Sequence, residues 1–267
     1  MSESHLSIFF CHHTKEAFTL EFGKLFSEAN MLVVEIGFDD GTTNNFERAF
    51  NKLSQGQLTP EQMQRNAKAD PQHPDYGFFN GLQATVYKSE KTIILEQSPL
   101  TKNDRERWAE ALRVLNTKKE LKTALPEYRR YLRLMAADQG KRNGSLARQL
   151  QNLISLNPGN GILLIIGAGH ERPLKKLLGE LSVSFASCYM VTPMEVDIQS
   201  ELMTRFELSE YVSDLDLLQA MAETFMHQAA GKVEYLPHAK RVSISNRIRG
   251  ISREDLERYV SEELKRE

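Results

Sequence analysis

Four short runs of apolar residues constrain the fold of this 267-residue chain more than any other feature. The runs are rich in Ile, Val, Leu and Phe and do not alternate with polar residues, which is typical of parallel strands that helices cover on both faces. They span Leu6 to Cys11, Met31 to Ile36, Thr92 to Leu95 and Gly161 to Ile166, and Val183 to Val191 is a less pure fifth candidate. We therefore expect an α/β fold with an open, mostly parallel sheet flanked by helices.

Helical periodicity fills most of the segments between these runs. The predicted helices span Lys15 to Glu28, Phe46 to Leu53, Asn103 to Leu115, Pro126 to Ala137, Leu146 to Leu156, Arg172 to Leu181, Met194 to Phe206, and Asp214 to Gln228. The first strand, helix and second strand together have the length of a βαβ unit, about thirty residues. This alternation predicts a single α/β domain over residues 1–267.

Two segments depart from this alternation. Residues 54–85 are rich in Pro, Gln and Asn, and a stretch of this length in a compact domain predicts an inserted flap or a small helical subdomain. Residues 242–267 are predicted to form a C-terminal amphipathic helical segment. This segment can pack on the body of the protein or on a second copy of the chain, so a homo-oligomer is one expectation.

Charge and cysteine content disfavour several classes of protein. The net charge of -2 and the pI of about 6.4 provide no global positive field, so we expect neither a nucleic-acid partner nor a membrane partner. Two cysteines, Cys11 and Cys188, are too few for a disulfide framework. The sequence has no apolar stretch of membrane-spanning length and no basic start followed by one, so we expect a cytoplasmic location.

Polar side chains lie at the ends of the apolar runs, where an open parallel sheet places its site. They are His12, His13, Glu35, Glu96, His170 and Glu171. An ionised Glu35 within an apolar run needs a cation or a metal as partner, because its desolvation costs several kcal/mol. Two imidazoles and one carboxylate form an open ligand set for a divalent metal, so His13, His170 and Glu35 are predicted to bind one or to orient a water molecule. A single histidine at a strand end is more often a cap or a loop residue, and that alternative stays open for each.

The glycines after the fourth run raise a different possibility, a dinucleotide-binding fingerprint. Gly167 and Gly169 fit its first two positions, but Arg172 stands where the third glycine is required, so we do not expect a nicotinamide or flavin cofactor. We expect these glycines to permit a sharp turn that brings the His170 backbone close to a ligand. The sequence also lacks a serine nucleophile elbow, a phosphate-binding Gly-x-x-x-x-Gly-Lys loop and a His-Glu-x-x-His zinc helix.

The order of four segments resembles a known superfamily. The segments FFCHHT, MLVVEIG, KRNGSLARQL and LLIIGAGHERPLKKLL are similar to the pattern of the TraB, TIKI, ChaN and erythromycin esterase-like superfamily. That pattern has two Gly-x-x-His motifs, a Glu at a strand end and an Arg in an Arg-Asn helix start. The resemblance implies an α/β fold with a cleft that holds the paired His, the Glu and the Arg.

Individual residues carry this resemblance to different degrees. Gly167 to His170 matches the second Gly-x-x-His motif, and Arg142 matches the arginine of the helix start. His13 matches the histidine of the first motif, although Phe10 replaces its glycine and His12 offers an alternative register. The activities associated with the superfamily include metal-dependent proteolysis, ester hydrolysis and haem binding, so kinship alone does not select one.

The first functional hypothesis is a hydrolase that acts on a small-molecule or peptide ligand. Glu35 acts as general base with a pKa that burial raises, and Arg142 stabilises a developing oxyanion. His13 and His170 orient or bind a divalent metal or a water molecule. The neighbouring polar residues His12, Glu96 and Glu171 are predicted to bind the substrate.

Two hypotheses come from other classes of protein. The same cleft can hold a metal, haem or small ligand without turnover, and Tyr76, Tyr87, His73 or Met63 can then contribute to a haem site. Alternatively, the protein is a regulatory interaction protein with a vestigial site, and the insertion and the C-terminal segment are its contact surfaces.

Overall fold

The computed structural model describes residues 5–13, 15–35, 40–67, 76–97, 99–190, 196–230 and 238–266. Its strands are β1 (His5–Cys11), β2 (Met31–Val34), β3 (Thr92–Leu95), β4 (Gly161–Gly167) and β5 (Phe185–Tyr189). Its α-helices are α1 (Leu20–Glu28), α2 (Asp40–Ser54), α3 (Pro60–Ala67), α4 (Tyr76–Val86), α5 (Lys102–Asn116), α6 (Leu121–Leu156), α7 (Glu171–Glu180), α8 (Ile198–Glu207), α9 (Asp214–Ala230), α10 (His238–Arg249) and α11 (Arg253–Arg266). Four residues of the sequence predictions, Ile36, His73, Val191 and Met194, lie outside the described residues.

The five strands form one parallel sheet in the order β3-β2-β4-β1-β5. The predicted α/β fold with a parallel sheet flanked by helices is therefore confirmed. β4 lies between β1 and β2, although it follows both in the chain. The carboxyl ends of β2, β4 and β1 consequently lie side by side at one edge of the sheet.

The chain divides into two compact units, where the sequence predicted a single domain. The sheet unit comprises residues 1–99 and 143–193, and the helical unit comprises residues 100–142 and 194–267. The division falls within α6, between Arg142 and Asn143. The physical reason for the division is that helices of the second unit bury their apolar faces against one another in a core of their own.

The core of the sheet unit lies on both faces of the sheet, because alternate strand residues point to opposite faces. Phe9 and Cys11 of β1 join the core that α1 to α4 cover. Ile8 and Phe10 join the core that α7 and the part of α6 after Asn143 cover. Burial on both faces explains why the strand sequences are continuously apolar.

The insertion predicted at residues 54–85 is largely helical in its described part. It contains α3 and most of α4, which lie on either side of residues outside the described ranges. Met63, Phe78 and Leu82 are buried in the core of the sheet unit. Both helices of the insertion are thus integral parts of that core.

Helix α6 is one continuous helix of 36 residues, where the sequence predicted two. Gly140 and Gly144 lie in the gap between the predicted helices, and a glycine in a helix costs about 1 kcal/mol relative to alanine. Burial of flanking residues such as Ala136 and Leu146 outweighs that cost. No helix begins at Arg142, so the prediction of a helix start at this residue is wrong.

The helical unit consists of α5, the part of α6 up to Arg142, and α8 to α11. The predicted C-terminal segment forms α11 and most of α10, and α11 buries Leu256, Val260 and Leu264 at intervals of one helical turn. These residues belong to the core of the helical unit. Among the described helices, none combines the length and apolarity needed to cross a membrane.

A capping box begins α5 within the helical unit. The Thr101 hydroxyl accepts a hydrogen bond from the Asp104 backbone N–H at 3.2 Å, and the Asp104 carboxylate accepts one from the Thr101 N–H at 3.0 Å. The Lys141 ammonium of α6 also donates to the Asp104 carboxylate. Asp104 therefore joins the start of α5 to α6.

Gly81 provides a test of how α4 packs in the sheet unit. A Cβ at this position would lie 2.3 Å from the ring of Phe18, so Gly81→Ala forces the aromatic ring to move. We expect a loss of about 1–3 kcal/mol in the free energy of unfolding, measured by urea denaturation. The matched control is Gly23→Ala in α1, where nothing lies within 4 Å of the added Cβ. The control should be neutral or stabilising by up to about 1 kcal/mol, and equal destabilisation of both variants would contradict the packing described.

Asp104 predicts a pH dependence of stability for the helical unit. The hydrogen bond from Lys141 and those from Thr101 lower the pKa of Asp104 from 3.8 to about 2. Because this pKa is lower in the folded state, the carboxylate stabilises the fold above pH 3.8, and the contribution is lost as the pH falls towards 2. Thermal melts of the wild type and Asp104→Asn should therefore differ most near neutral pH and converge as the pH falls. A difference in melting temperature that stays constant down to about pH 2 would overturn this account.

Candidate functional site

Three polar side chains of the sheet unit meet at the carboxyl edge of its sheet. His13 follows β1 by two residues, Glu35 directly follows β2, and His170 ends a short 3-10 turn after β4. The Glu35 N–H donates to the carbonyl oxygen of Ile165 at 3.1 Å, which continues the pairing of β2 with β4 by one residue. The sheet itself therefore fixes the backbone from which the Glu35 side chain projects.

The Glu35 carboxylate lies between the two imidazoles. Its Oε1 is 3.1 Å from His170 Nε2, and its Oε2 is 3.5 Å from His13 Nε2. Oε2 also accepts a hydrogen bond from the Gly167 N–H at 2.8 Å. Glu35 is only 7% exposed, so these contacts replace the water that an ionised carboxylate requires.

The electrostatic balance at Glu35 favours the ionised form. Burial raises the pKa of the Glu35 carboxyl, but the positive charge of His170 and hydrogen bonds from both imidazoles outweigh burial and hold that pKa well below its ordinary value. The expectation that burial leaves Glu35 with a raised pKa, suited to a general base, is therefore wrong. A carboxylate that binds protons this weakly instead stabilises positive charge on its neighbours.

Gly167 provides space for this arrangement because it lacks a Cβ. An added Cβ would lie 3.2 Å from Glu35 Oε2, 3.7 Å from His170 Cδ2 and 3.9 Å from His13 Nε2. The backbone of Gly167 has φ -61° and ψ 140°, which any residue adopts. The sequence predicted that this glycine permits a sharp turn, whereas in the structure its role is to leave room between the three side chains.

The two imidazoles are held in different ways. The ring of His13 packs against the ring of Phe78 from α4, with 4.7 Å between centroids. His170 Nδ1 lies 2.6 Å from the amide oxygen of Asn143 on α6. The side chain of His13 is 30% exposed and that of His170 is 12% exposed. His13 is thus the imidazole that a ligand from solvent can reach more easily.

Two imidazoles and a carboxylate are the donor types that a divalent metal prefers, so the metal prediction has a chemical basis. Within the described parts of the chain, however, no group of three or more His, Cys, Asp or Glu side chains is arranged to hold a metal ion. The imidazoles contact different oxygens of Glu35 instead. Binding of a divalent metal by these three residues therefore remains a prediction.

The other predicted site residues have separate surroundings. Glu96 is buried after β3, and its N–H donates to the Val34 carbonyl oxygen. Glu171 accepts hydrogen bonds from Lys175 at 2.8 Å and from the Tyr189 hydroxyl at 2.9 Å. The roles of both residues, and of the half-buried His12, in binding a substrate remain predictions. The same applies to the oxyanion role of Arg142, which is the last residue of its segment of the helical unit.

Sequence reasoning missed two residues that contact the imidazoles, Asn143 and Phe78. Asn143 directly follows the predicted Arg142, and that adjacency was the one available signal. Phe78 lies in the predicted insertion, and nothing in the sequence distinguishes it from an aromatic residue that only packs in the core. Met63, a candidate for the haem alternative, is buried in the core of the sheet unit.

The fold and the site define an open parallel α/β protein with a buried carboxylate between two imidazoles at the carboxyl edge of its sheet. No protein-family model, curated protein or solved structure matches the chain. The resemblance to the TraB, TIKI, ChaN and erythromycin esterase-like superfamily therefore remains a prediction. Function has to be inferred from the geometry of the site.

Gly167→Ala tests whether the space at Gly167 is required. The alanine backbone is unstrained, so any loss of stability comes from the 3.2 Å contact between its Cβ and Glu35 Oε2. We expect a decrease of about 1–3 kcal/mol in the free energy of unfolding, measured by urea denaturation. Gly179→Ala in α7 is the control, because an added Cβ there has no atom within 4 Å. If Gly167→Ala is as stable as the control, the packing around Glu35 is looser than described.

Proposed function

We propose that the protein is a hydrolase in which His13 activates water and the Glu35 carboxylate stabilises the positive charge that His13 acquires. The observation that carries this proposal is the buried Glu35 carboxylate between two imidazoles. In catalytic triads, a carboxylate makes a histidine an effective base because it orients the imidazole and stabilises the imidazolium that forms. The proposed substrate is an ester or peptide bond, since water attack on a carbonyl needs such a base.

Differences between the two histidines support the choice of His13 as the base. His13 is the more exposed of the two, and its Nε2 faces Glu35 Oε2. A hydrogen on Nε2 directs the lone pair of the neutral ring to Nδ1, the nitrogen that does not face Glu35. His170 has oxygen atoms at both ring nitrogens, so neither of its nitrogens faces an open position for a substrate.

The proposed reaction transfers one proton in each of two steps. His13 Nδ1 takes a proton from water as the water oxygen attacks the carbonyl carbon, which yields a tetrahedral intermediate and an imidazolium. The imidazolium then gives the proton to the leaving alcohol or amine as the carbon–heteroatom bond breaks. Glu35 stays ionised throughout and lowers the energy of the imidazolium, in agreement with its lowered pKa.

A hydrolysis screen with matched variants tests this proposal. Wild type, Glu35→Gln and His13→Gln are compared on p-nitrophenyl esters of varied chain length and on chromogenic peptides. We expect the wild type to hydrolyse one of these classes and both variants to lose about 10²–10⁴-fold in rate, the contribution of general base catalysis. Because Glu35→Gln is isosteric, its loss reports the missing charge.

Glu47→Gln is the matched control for the loss of a carboxylate. Glu47 lies on α2 in the sheet unit, where its Oε2 accepts the Leu95 N–H at 2.8 Å. This variant should hydrolyse the substrate at the wild-type rate. Absence of hydrolysis by the wild type, or equal rates in wild type and Glu35→Gln, would contradict the proposal. Metal analysis accompanies the screen, and stoichiometric metal whose removal by a chelator abolishes turnover would replace this mechanism with a metal-dependent one.

A further inference from the structure

His170 has an oxygen atom close to each ring nitrogen. Nδ1 lies 2.6 Å from Asn143 Oδ1, and Nε2 lies 3.1 Å from Glu35 Oε1. Asn143 is only 1% exposed, so no bulk water competes for this contact. The imidazole is therefore held at both nitrogens, by α6 on one side and by the residue that directly follows β2 on the other.

The chemistry of the two oxygens determines where hydrogen must lie. An amide oxygen can only accept a hydrogen bond, so a 2.6 Å contact requires a hydrogen on His170 Nδ1. The Glu35 carboxylate also can only accept, so the 3.1 Å contact requires a hydrogen on Nε2 as well. Asn143 and Glu35 together therefore fix the orientation of the ring.

We propose that Asn143 is a positioning residue of the site: its amide oxygen accepts a hydrogen bond from His170 Nδ1 and thereby orients the ring so that Nε2–H donates to Glu35. The catalytic consequence of this inference rests on the proposed hydrolase function. With His170 fixed in this way, Glu35 Oε1 is occupied, and Oε2 serves His13 and the Gly167 N–H. Asn143 thus makes the two histidines unequal, one held as a charge partner and the other left to act on a ligand.

The position of Asn143 supports a specific role. It lies inside α6, and asparagine is an unfavourable residue in a helix interior, where its side chain competes for backbone hydrogen bonds. Here the buried Oδ1 is directed at an imidazole of the site. A leucine, which has a similar branched shape, would suit the helix interior better, so helix stability alone does not explain an amide there.

Nitrogen NMR of the histidine rings tests the inference without a substrate. In ¹⁵N-labelled full-length wild type, we expect the Nδ1 resonance of His170 at the position of a nitrogen that bears hydrogen. In Asn143→Leu, which lacks the acceptor, this resonance should shift towards the position of a nitrogen without hydrogen. Asn143→Asp keeps an acceptor oxygen and should retain the wild-type position of Nδ1. The resonances of His5, which begins β1 at the opposite end of that strand from the site, serve as an internal reference.

Gln149→Leu is the matched control, because it removes another amide from the same helix. The Gln149 amide nitrogen donates to the Leu95 carbonyl oxygen at 3.2 Å. This variant should leave the His170 resonances at their wild-type positions. If Asn143→Leu fails to fold, Asn143→Asp and wild type still decide the question, since an unprotonated Nδ1 in either overturns the inference.

Activity measurements separate this inference from the proposed function. On a substrate that the wild type hydrolyses, Asn143→Leu should lose about 10- to 100-fold in rate, the usual effect of removing a residue that orients a functional histidine. If the NMR shift occurs and no substrate is hydrolysed, the proposed function fails and the positioning role stands. If the His170 resonances are the same in wild type and Asn143→Leu, the positioning role fails whatever the activity.

Discussion

The arrangement of the sheet edge depends on the need to stabilise one buried charge. Glu35 directly follows a strand whose residues are apolar, and an isolated carboxylate there would cost several kcal/mol or take up a proton. His13, His170 and the Gly167 N–H supply the compensating interactions. Loss of one partner would leave charge uncompensated, at a cost of about 3–5 kcal/mol for a buried pair. The three strand ends are therefore energetically coupled through a single side chain.

Strand order makes this coupling possible. Neighbouring strands lie about 4.8 Å apart, so side chains from three adjacent strand ends can reach one carboxylate. β4 is the central strand of these three, and its continuation supplies both the Gly167 N–H and His170. A sheet with β1 and β2 as direct neighbours would place the end of β4 farther away. The position of β4 between two strands that precede it in the chain thus assembles the site. It requires contacts between residues that are distant in sequence.

The strands could be predicted from sequence because burial on both faces leaves an unbroken apolar run, and β1 to β4 start and end close to the predicted residues. The order of the strands could not be predicted, since it depends on pairings between residues more than a hundred positions apart.

Glu35 was recognisable from the sequence as a charge that needs partners. The direction of the pKa shift of Glu35 could not be predicted, because burial raises this pKa and neighbouring positive charge lowers it. Only the geometry shows which of the two effects is larger. Asn143 escaped prediction because the continuity of α6 through Gly140 and Gly144 depends on tertiary packing.

The two imidazoles obtain their orientation from helices rather than from the strands they follow. Phe78 on α4 supports the His13 ring by aromatic contact, which restricts the tilt of the ring and leaves the polar contact at Nε2 to Glu35. Asn143 on α6 contacts His170 Nδ1 at 2.6 Å, and this directional contact restricts the tilt of the ring. In the proposed hydrolase, the aromatic support suits a histidine that exchanges a proton with water, whereas the polar support suits a histidine that stays bonded to a carboxylate. The difference in support therefore assigns different chemistry to two side chains that the sequence presents as equivalent.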